Sequence, residues 1–381
     1  MYRKITVGLF FTFLYCMFVL NILEFVLRDS VSSVQTEAID NTTFFKSMEQ
    51  ISYGRHFFIN VNSIAQNIFH KCVVNDRIGS IVKQKNDYLM APSIERDVSL
   101  TIEALKNTYD CLREEKIDML YIGARTCVEW QSTDLPVGIQ DWDNQVLTDF
   151  FSEIEGLEIP YIDSYSTISG SDGVWEDYFF KTDHHWTPEA AFHVYADTCK
   201  ILESEYNWEI DDKLFHLENY EKRLYKKSFL GAEGRRVGRY YVGLDDFTLI
   251  TPMYDTNFTL HIPSKGVFRE GCFQDTILDP NQPLGTYSYE LSAYYKYIGG
   301  DYPQVQITNH NVEHGRILVV KDSFGIPYSA FISNIAHETT IVDLRYTEES
   351  LRTIIDKTKP DLVIFCYGPG YLGVPSMVSL N

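Results

Sequence analysis

The sequence predicts an α/β protein, a mostly parallel sheet lying between two layers of helices. Three observations predict it. The last third of the chain alternates short apolar runs with helical segments, the pattern of parallel strands joined by crossover helices. Residues 98–164 show the same alternation. With 381 residues, 45% of them hydrophobic and 23% charged, the chain can fill a large core.

The first element in chain order is of another kind. Residues 5–23, "ITVGLFFTFLYCMFVLNIL", carry no charge and follow the basic pair Arg3 and Lys4. About 20 apolar residues span a bilayer, and a basic flank stays in the cytoplasm. The following residues lack a clear small-x-small cleavage site. The expectation is one N-terminal transmembrane signal anchor (1–27), a polar stalk (28–50) and an extracytoplasmic domain (51–381), making a single-pass protein of the cell membrane. A cleaved signal peptide and a buried core helix are the alternatives.

Helical spacing marks 98–115, and "IDMLYIG" (117–123) is an apolar run of strand type. Residues 144–155 are again helical and 157–164 strand-like. In "YFFKTDHHWTPEAAF" (178–192), Thr187 is an N-cap, Pro188 suits the first helical position, and the helix runs on through residue 206. Residues 206–300 are less regular, and 226–241, rich in glycine and arginine, reads as a loop or hairpin. Then "GRILVVKDSF" (315–324), "TTIVDLRY" (339–346) and "DLVIFCYG" (361–368) are strands, with helices at 325–336 and 347–358 between them.

Formal net charge is −20 with no basic cluster. That argues against nucleic acid and against broad attraction to anionic lipid. The seven cysteines show no C-x-x-C spacing, so they give neither a zinc site nor identifiable disulfide pairs, and Cys366 reads as a small core residue.

In parallel sheets, active residues collect beyond the carboxyl ends of the strands. Ser323 sits at such an end, in "VVKDSFG". The N–H groups of Phe324 and Gly325, at the start of the next helix, are the expected oxyanion donors. The plain alternative is that Asp322 and Ser323 cap the helix. A serine hydroxyl needs a base, and the base needs a group to orient it. Asp183 and His185, two residues apart on an extended stretch, supply both, and His184 then points away, into packing or toward another partner, as a structural residue.

The stretch 178–192 resembles the signature of the DHHW protein family. Four further blocks occur in the expected order: "SFLGAEGRRVG" (228–238), "AYYKYIGGDYP" (293–303), "GRILVVKDSFGIP" (315–327) and "IVDLRY" (341–346). The resemblance covers most of residues 80–370. It implies an SGNH-like three-layer α/β/α domain, related to the O-acetyltransferase domains of alginate-type polysaccharide acetylation. It gives Asp183, His185 and Ser323 the Asp, His and nucleophile places. Lys321 stands where the classical turn has glycine, and the classical Asn block has no counterpart. Asp301, in "GGDYP", cannot donate unless protonated.

The leading expectation is therefore an O-acetyltransferase or O-acetylesterase acting on a cell-surface or secreted polysaccharide. Its partners are a carbohydrate polymer and an acyl donor, with a membrane acyl-transfer protein as one source. Arg345, Tyr346 and Asp301 are candidate cleft residues, a structural salt bridge being the alternative for Arg345. The second reading is an inactive glycan-binding or assembly protein of the same fold. The third is metal-assisted hydrolysis by Asp183, His184 and His185. Catalytic metals take three converging ligands, and neighbouring histidines on one loop rarely both reach one ion, so no metal and no cofactor is expected.

Overall fold

The computed structural model describes residues 54–380 together with Phe11, Thr12, Tyr15, Cys16 and Val19, which are helical. Most of the expected anchor and the stalk lie outside the described residues. Among those described, no helix is long and apolar enough to cross a membrane. The chain divides into two compact units, Met1–Ala65 and Gln66–Asn381. Arg55–Ile68 form a helix, most of which belongs to the first unit. The second holds everything that follows.

That unit opens with a small antiparallel sheet of β1 (Val73–Asn75), β2 (Ser80–Lys83) and β3 (Leu89–Met90). The main sheet draws on β4 (Asp118–Gly123) and β5 (Tyr161–Asp163). A two-stranded ribbon, β6 (Tyr220–Phe229) and β7 (Asp245–Pro252), stands apart from it. The main sheet resumes with β8 (Phe258–Ile262), β9 (Val267–Gly271), β10 (Gln304–Asn309), β11 (Arg316–Lys321), β12 (Glu338–Val342) and β13 (Leu362–Tyr367). Its order is β5-β4-β13-β11-β12-β10-β8-β9. The first five strands are parallel, and β10, β8 and β9 continue it antiparallel.

Successive residues of a strand face opposite sides, so each central strand feeds two cores. Leu120, Ile122, Ile317, Val319, Ile364 and Cys366 join one core with the helices Pro188–Tyr206 and Gly325–Ile332. Met119, Tyr121, Leu318, Val320, Val363 and Phe365 join the other with the helices Ser99–Glu114, Trp142–Gly156 and Leu351–Thr358. The predicted parallel core is present. The antiparallel extension falls largely in the region the sequence reading left irregular.

Local chemistry sets the helix that follows the histidines. Thr187 accepts a hydrogen bond from Ala190 N–H, Pro188 occupies the first turn, and Asn207 closes the helix in the left-handed region at φ 58°. Residues 226–241 correct the sequence reading. The segment finishes β6 and then forms a short helix, Ala232–Val237, started by Gly231.

Candidate active site

Four parallel strands end around one pocket of about 350 Å³. Thr126 and Cys127 come from beyond β4, Asp322 to Phe324 from β11, Arg345 from β12, and Pro369 to Tyr371 from β13. Residues Leu89 to Ser93, Arg96, His184 and Glu233 complete much of its wall.

Asp183, His185 and Ser323 meet. Ser323 Oγ lies 2.7 Å from His185 Nε2, and His185 Nδ1 lies 2.5 Å from Asp183 Oδ1. The serine comes from the turn after β11, the other two from a loop 138 residues earlier. Both contacts are within the reach a base and its orienter need. His185 is buried, and its ring stacks on that of Tyr294 at 4.3 Å.

Two indole and phenol donors tie the two loops together. Trp186 Nε1–H donates to the Phe324 carbonyl at 2.9 Å, and Tyr294 O–H donates to the same oxygen at 3.2 Å. Trp186 is fully buried and packs edge-on against Phe324. The histidine loop and the serine turn are thus held by the same carbonyl.

The Asp183 carboxylate is heavily satisfied. It accepts from His185 N–H at 3.0 Å and from Ala232 N–H at 2.7 Å, besides the imidazole. Burial pushes its pKa up, but the charge and hydrogen bond of His185, with His184 behind it, outweigh that and hold the carboxyl below its usual range. His185 is shifted down, by burial first and by the neighbouring His184 charge second, against the pull of Asp183. A neutral imidazole beside an ionised aspartate is the state a general base requires.

The predicted oxyanion donors need correcting. Phe324 N–H donates to Asp322 Oδ1 at 2.9 Å, and Gly325 N–H donates to the Asp322 carbonyl at 3.1 Å. Both amides are spent inside the turn. Asp322 also accepts Gly368 N–H at 2.9 Å, so its carboxylate clasps the ends of β11 and β13. Burial raises its pKa to about 6, against those bonds and the charges of Arg345 and Lys321.

His184 departs from expectation in part. It meets another partner, as expected, but instead of leaving the site it lines the pocket, with its side chain 40% exposed. Its ring lies 3.9 Å from that of His185, and Nδ1 faces the buried Glu233 carboxylate at 3.2 Å. Partial burial opposes its charge, but Glu233, and Asp183 after it, raise its pKa to about 9.

Of the cleft candidates, Arg345 lines the pocket while gripping Asp343 and Asp301. The cleft and salt-bridge readings of Arg345 therefore hold together. Asp301 is a charge partner, 2.5 Å from the buried Lys321 Nζ, rather than part of the wall. Tyr346 is exposed, with the Arg345 guanidinium over its ring. Lys321, in the place of the classical glycine, is the hub of a buried cluster with Asp301 and Asp343.

The segment 231–233 was missed as a site element. Gly231 permits close approach to Asp183, Ala232 supplies an amide to it, and Glu233 pairs with His184. Its clustered glycines, Gly231 and Gly234, were the available signal. Asp183, His184 and His185 offer ligand atoms within 4.8 Å of one another. In this geometry Asp183 and His185 already face each other and His185 Nε2 faces Ser323, so an ion would have to displace those bonds.

No protein-family model matches the chain, and no curated protein matches it. Solved structures do. Bacillus cereus PatB1, solved with a sulfonyl adduct, superposes with a TM-score of 0.65 at 20% identity, covering 81% of this chain and 99% of that one. A DHHW family protein from Eubacterium siraeum superposes with a TM-score of 0.59 at 17% identity, covering 80% of this chain and 95% of that one. The fold is thus shared with a DHHW family protein, in agreement with the resemblance of the sequence blocks.

Proposed function

We propose that the protein is an O-acyl esterase or O-acetyltransferase that works through Ser323, His185 and Asp183 on a carbohydrate. The reading rests on one observation, the unbroken line of contacts from Asp183 through His185 to a pocket-lining serine at a strand end. In the reaction, Ser323 Oγ attacks the acyl carbonyl as His185 Nε2 takes its proton. Asp183 stabilises the imidazolium that forms. The tetrahedral species collapses, His185 returns the proton to the leaving oxygen, and an acyl-serine remains. A sugar hydroxyl or water then repeats the sequence in reverse.

The carbohydrate and the acetyl group come from the resemblance of the sequence blocks to the DHHW family, which is related to polysaccharide O-acetyltransferase domains. The sulfonyl adduct on a protein of the same fold supports a reactive nucleophile in this architecture. Anchoring by residues 5–23, with the domain outside the membrane, belongs to the same proposal and rests on that uncharged run behind two basic residues.

The test compares the parent with Ser323→Ala on 4-nitrophenyl acetate, and treats both with a sulfonyl fluoride followed by mass measurement. The expected outcome is turnover and a single adduct in the parent, both lost in the variant. Equal turnover in the two proteins sinks the serine assignment. Absence of both turnover and adduct in the parent favours the glycan-binding reading.

A further inference from the structure

Two of the turn's amides, those of Phe324 and Gly325, are committed to Asp322, so the pair the sequence assigned to the oxyanion has to be replaced from elsewhere in the pocket. Charge is short as well. Asp183, within the triad, and Glu233, beside it, are both buried carboxylates. If His184 were neutral, the cluster would still carry one net negative charge after His185 has taken the serine proton, beside the oxyanion that then develops.

His184 answers both needs. Its Nδ1 is engaged by Glu233, which directs Nε2 away from that carboxylate. Its ring lies 3.9 Å from that of His185, the residue that bonds Ser323 Oγ, and 5.8 Å from that of Phe324, the residue after Ser323 in the chain. It lines the same pocket as Ser323. A buried carboxylate such as Glu233 is costly without a cation, and His184 is the partner it bonds.

We propose that His184, clamped by Glu233, is a further catalytic residue that donates a charge-assisted hydrogen bond from Nε2 to the oxygen of the tetrahedral intermediate. The inference rests on the acyl-transfer reading above. With His184 charged, the cluster of Asp183, Glu233, His184 and His185 carries one negative charge at rest. It becomes neutral when His185 takes the serine proton, so the oxyanion forms beside a neutral cluster. Replacing His184 by a neutral side chain leaves one net negative charge next to it at that moment. The groups facing His184 are Glu233 from the short helix, Asp183 and His185 from its own loop, and Asp322 from the serine turn. Of these, Glu233 is in direct contact and acts most strongly.

The experiment measures kcat and KM for 4-nitrophenyl acetate with the parent, Ser323→Ala, His184→Gln and Glu233→Gln between about pH 5 and pH 10. Removing one oxyanion donor costs about 100-fold or more in kcat. His184→Gln is expected to show that loss with KM within about threefold of the parent. The parent's kcat is expected to fall at high pH as His184 loses its proton near 9. Glu233→Gln keeps His184 in place and is expected to move that limb down toward the ordinary histidine value of about 6.5. A merely structural histidine would not move the limb. If His184→Gln keeps kcat within about threefold, or if the high-pH limb is unchanged in Glu233→Gln, the proposal is overturned while the triad stands. If the parent is no faster than Ser323→Ala, the acyl-transfer reading fails and this inference with it.

Discussion

Gly231→Ala tests how finely Asp183 is placed. Gly231 has φ −75° and ψ −176°, a conformation open to any residue, so backbone strain does not require glycine here. Space does. An added Cβ would lie 2.2 Å from Asp183 Cβ, 2.4 Å from the Thr182 carbonyl oxygen and 2.6 Å from Asp183 Oδ2. Ordinary contact begins at 3.4 Å, so the two segments must part by about 1 Å. That shift loosens the 2.7 Å bond from Ala232 N–H and turns the carboxylate relative to His185. A displacement of about 1 Å at a reacting group costs on the order of 100-fold in rate, and overpacking a tight site costs ~1–3 kcal/mol in stability. The assay is ester turnover, with urea unfolding of the same samples. Gly156→Ala, at a helix end where the new Cβ meets nothing within 4 Å, is the control and should match the parent in both measurements. If Gly231→Ala also matches the parent in rate and unfolding midpoint, the close approach does not hold Asp183 and the reasoning is wrong.

Other outcomes follow from the same contacts. Asp183→Asn should lower kcat by ~10⁴-fold with little change in fold, because an amide can hold the wrong imidazole tautomer, and intact near-ultraviolet circular dichroism beside that loss would separate the two effects. Lys321→Met should cost ~3 kcal/mol in urea unfolding by leaving Asp301 and Asp343 with only Arg345 between them. The His184 contribution to stability has a fixed sign. Its pKa is raised in the folded state, so the contribution is complete below about pH 6.5 and is lost as pH rises through about 9. The gap in unfolding midpoint between the parent and His184→Gln should therefore narrow above pH 9, and a gap that widens there would contradict the His184–Glu233 pairing.

Much of the site was legible because its pieces are local. A strand that must end in a turn puts Ser323 above the sheet, and "TDHHW" carries the proposed base and its proposed orienter within three residues. The same locality explains the errors. An amide at a helix start is a good anion donor only if nothing nearer takes it, and the Asp322 side chain, one residue before the serine, takes that of Phe324. His184 was assigned outward by the alternation of an extended chain. The loop is irregular instead, and Glu233, 49 residues away, turns the ring toward the pocket.

By itself, the sequence determined the parallel strands and their helices, because apolar period, caps and strand-end turns act over a few residues. It also determined which serine, histidine and aspartate to pair. Tertiary structure alone decided the antiparallel extension of the sheet, the burial of Lys321 between two aspartates, and the packing of Gly231 against Asp183. These depend on segments far apart in sequence, whose meeting is settled by core packing and by the pairing of buried charges rather than by any pattern in the chain.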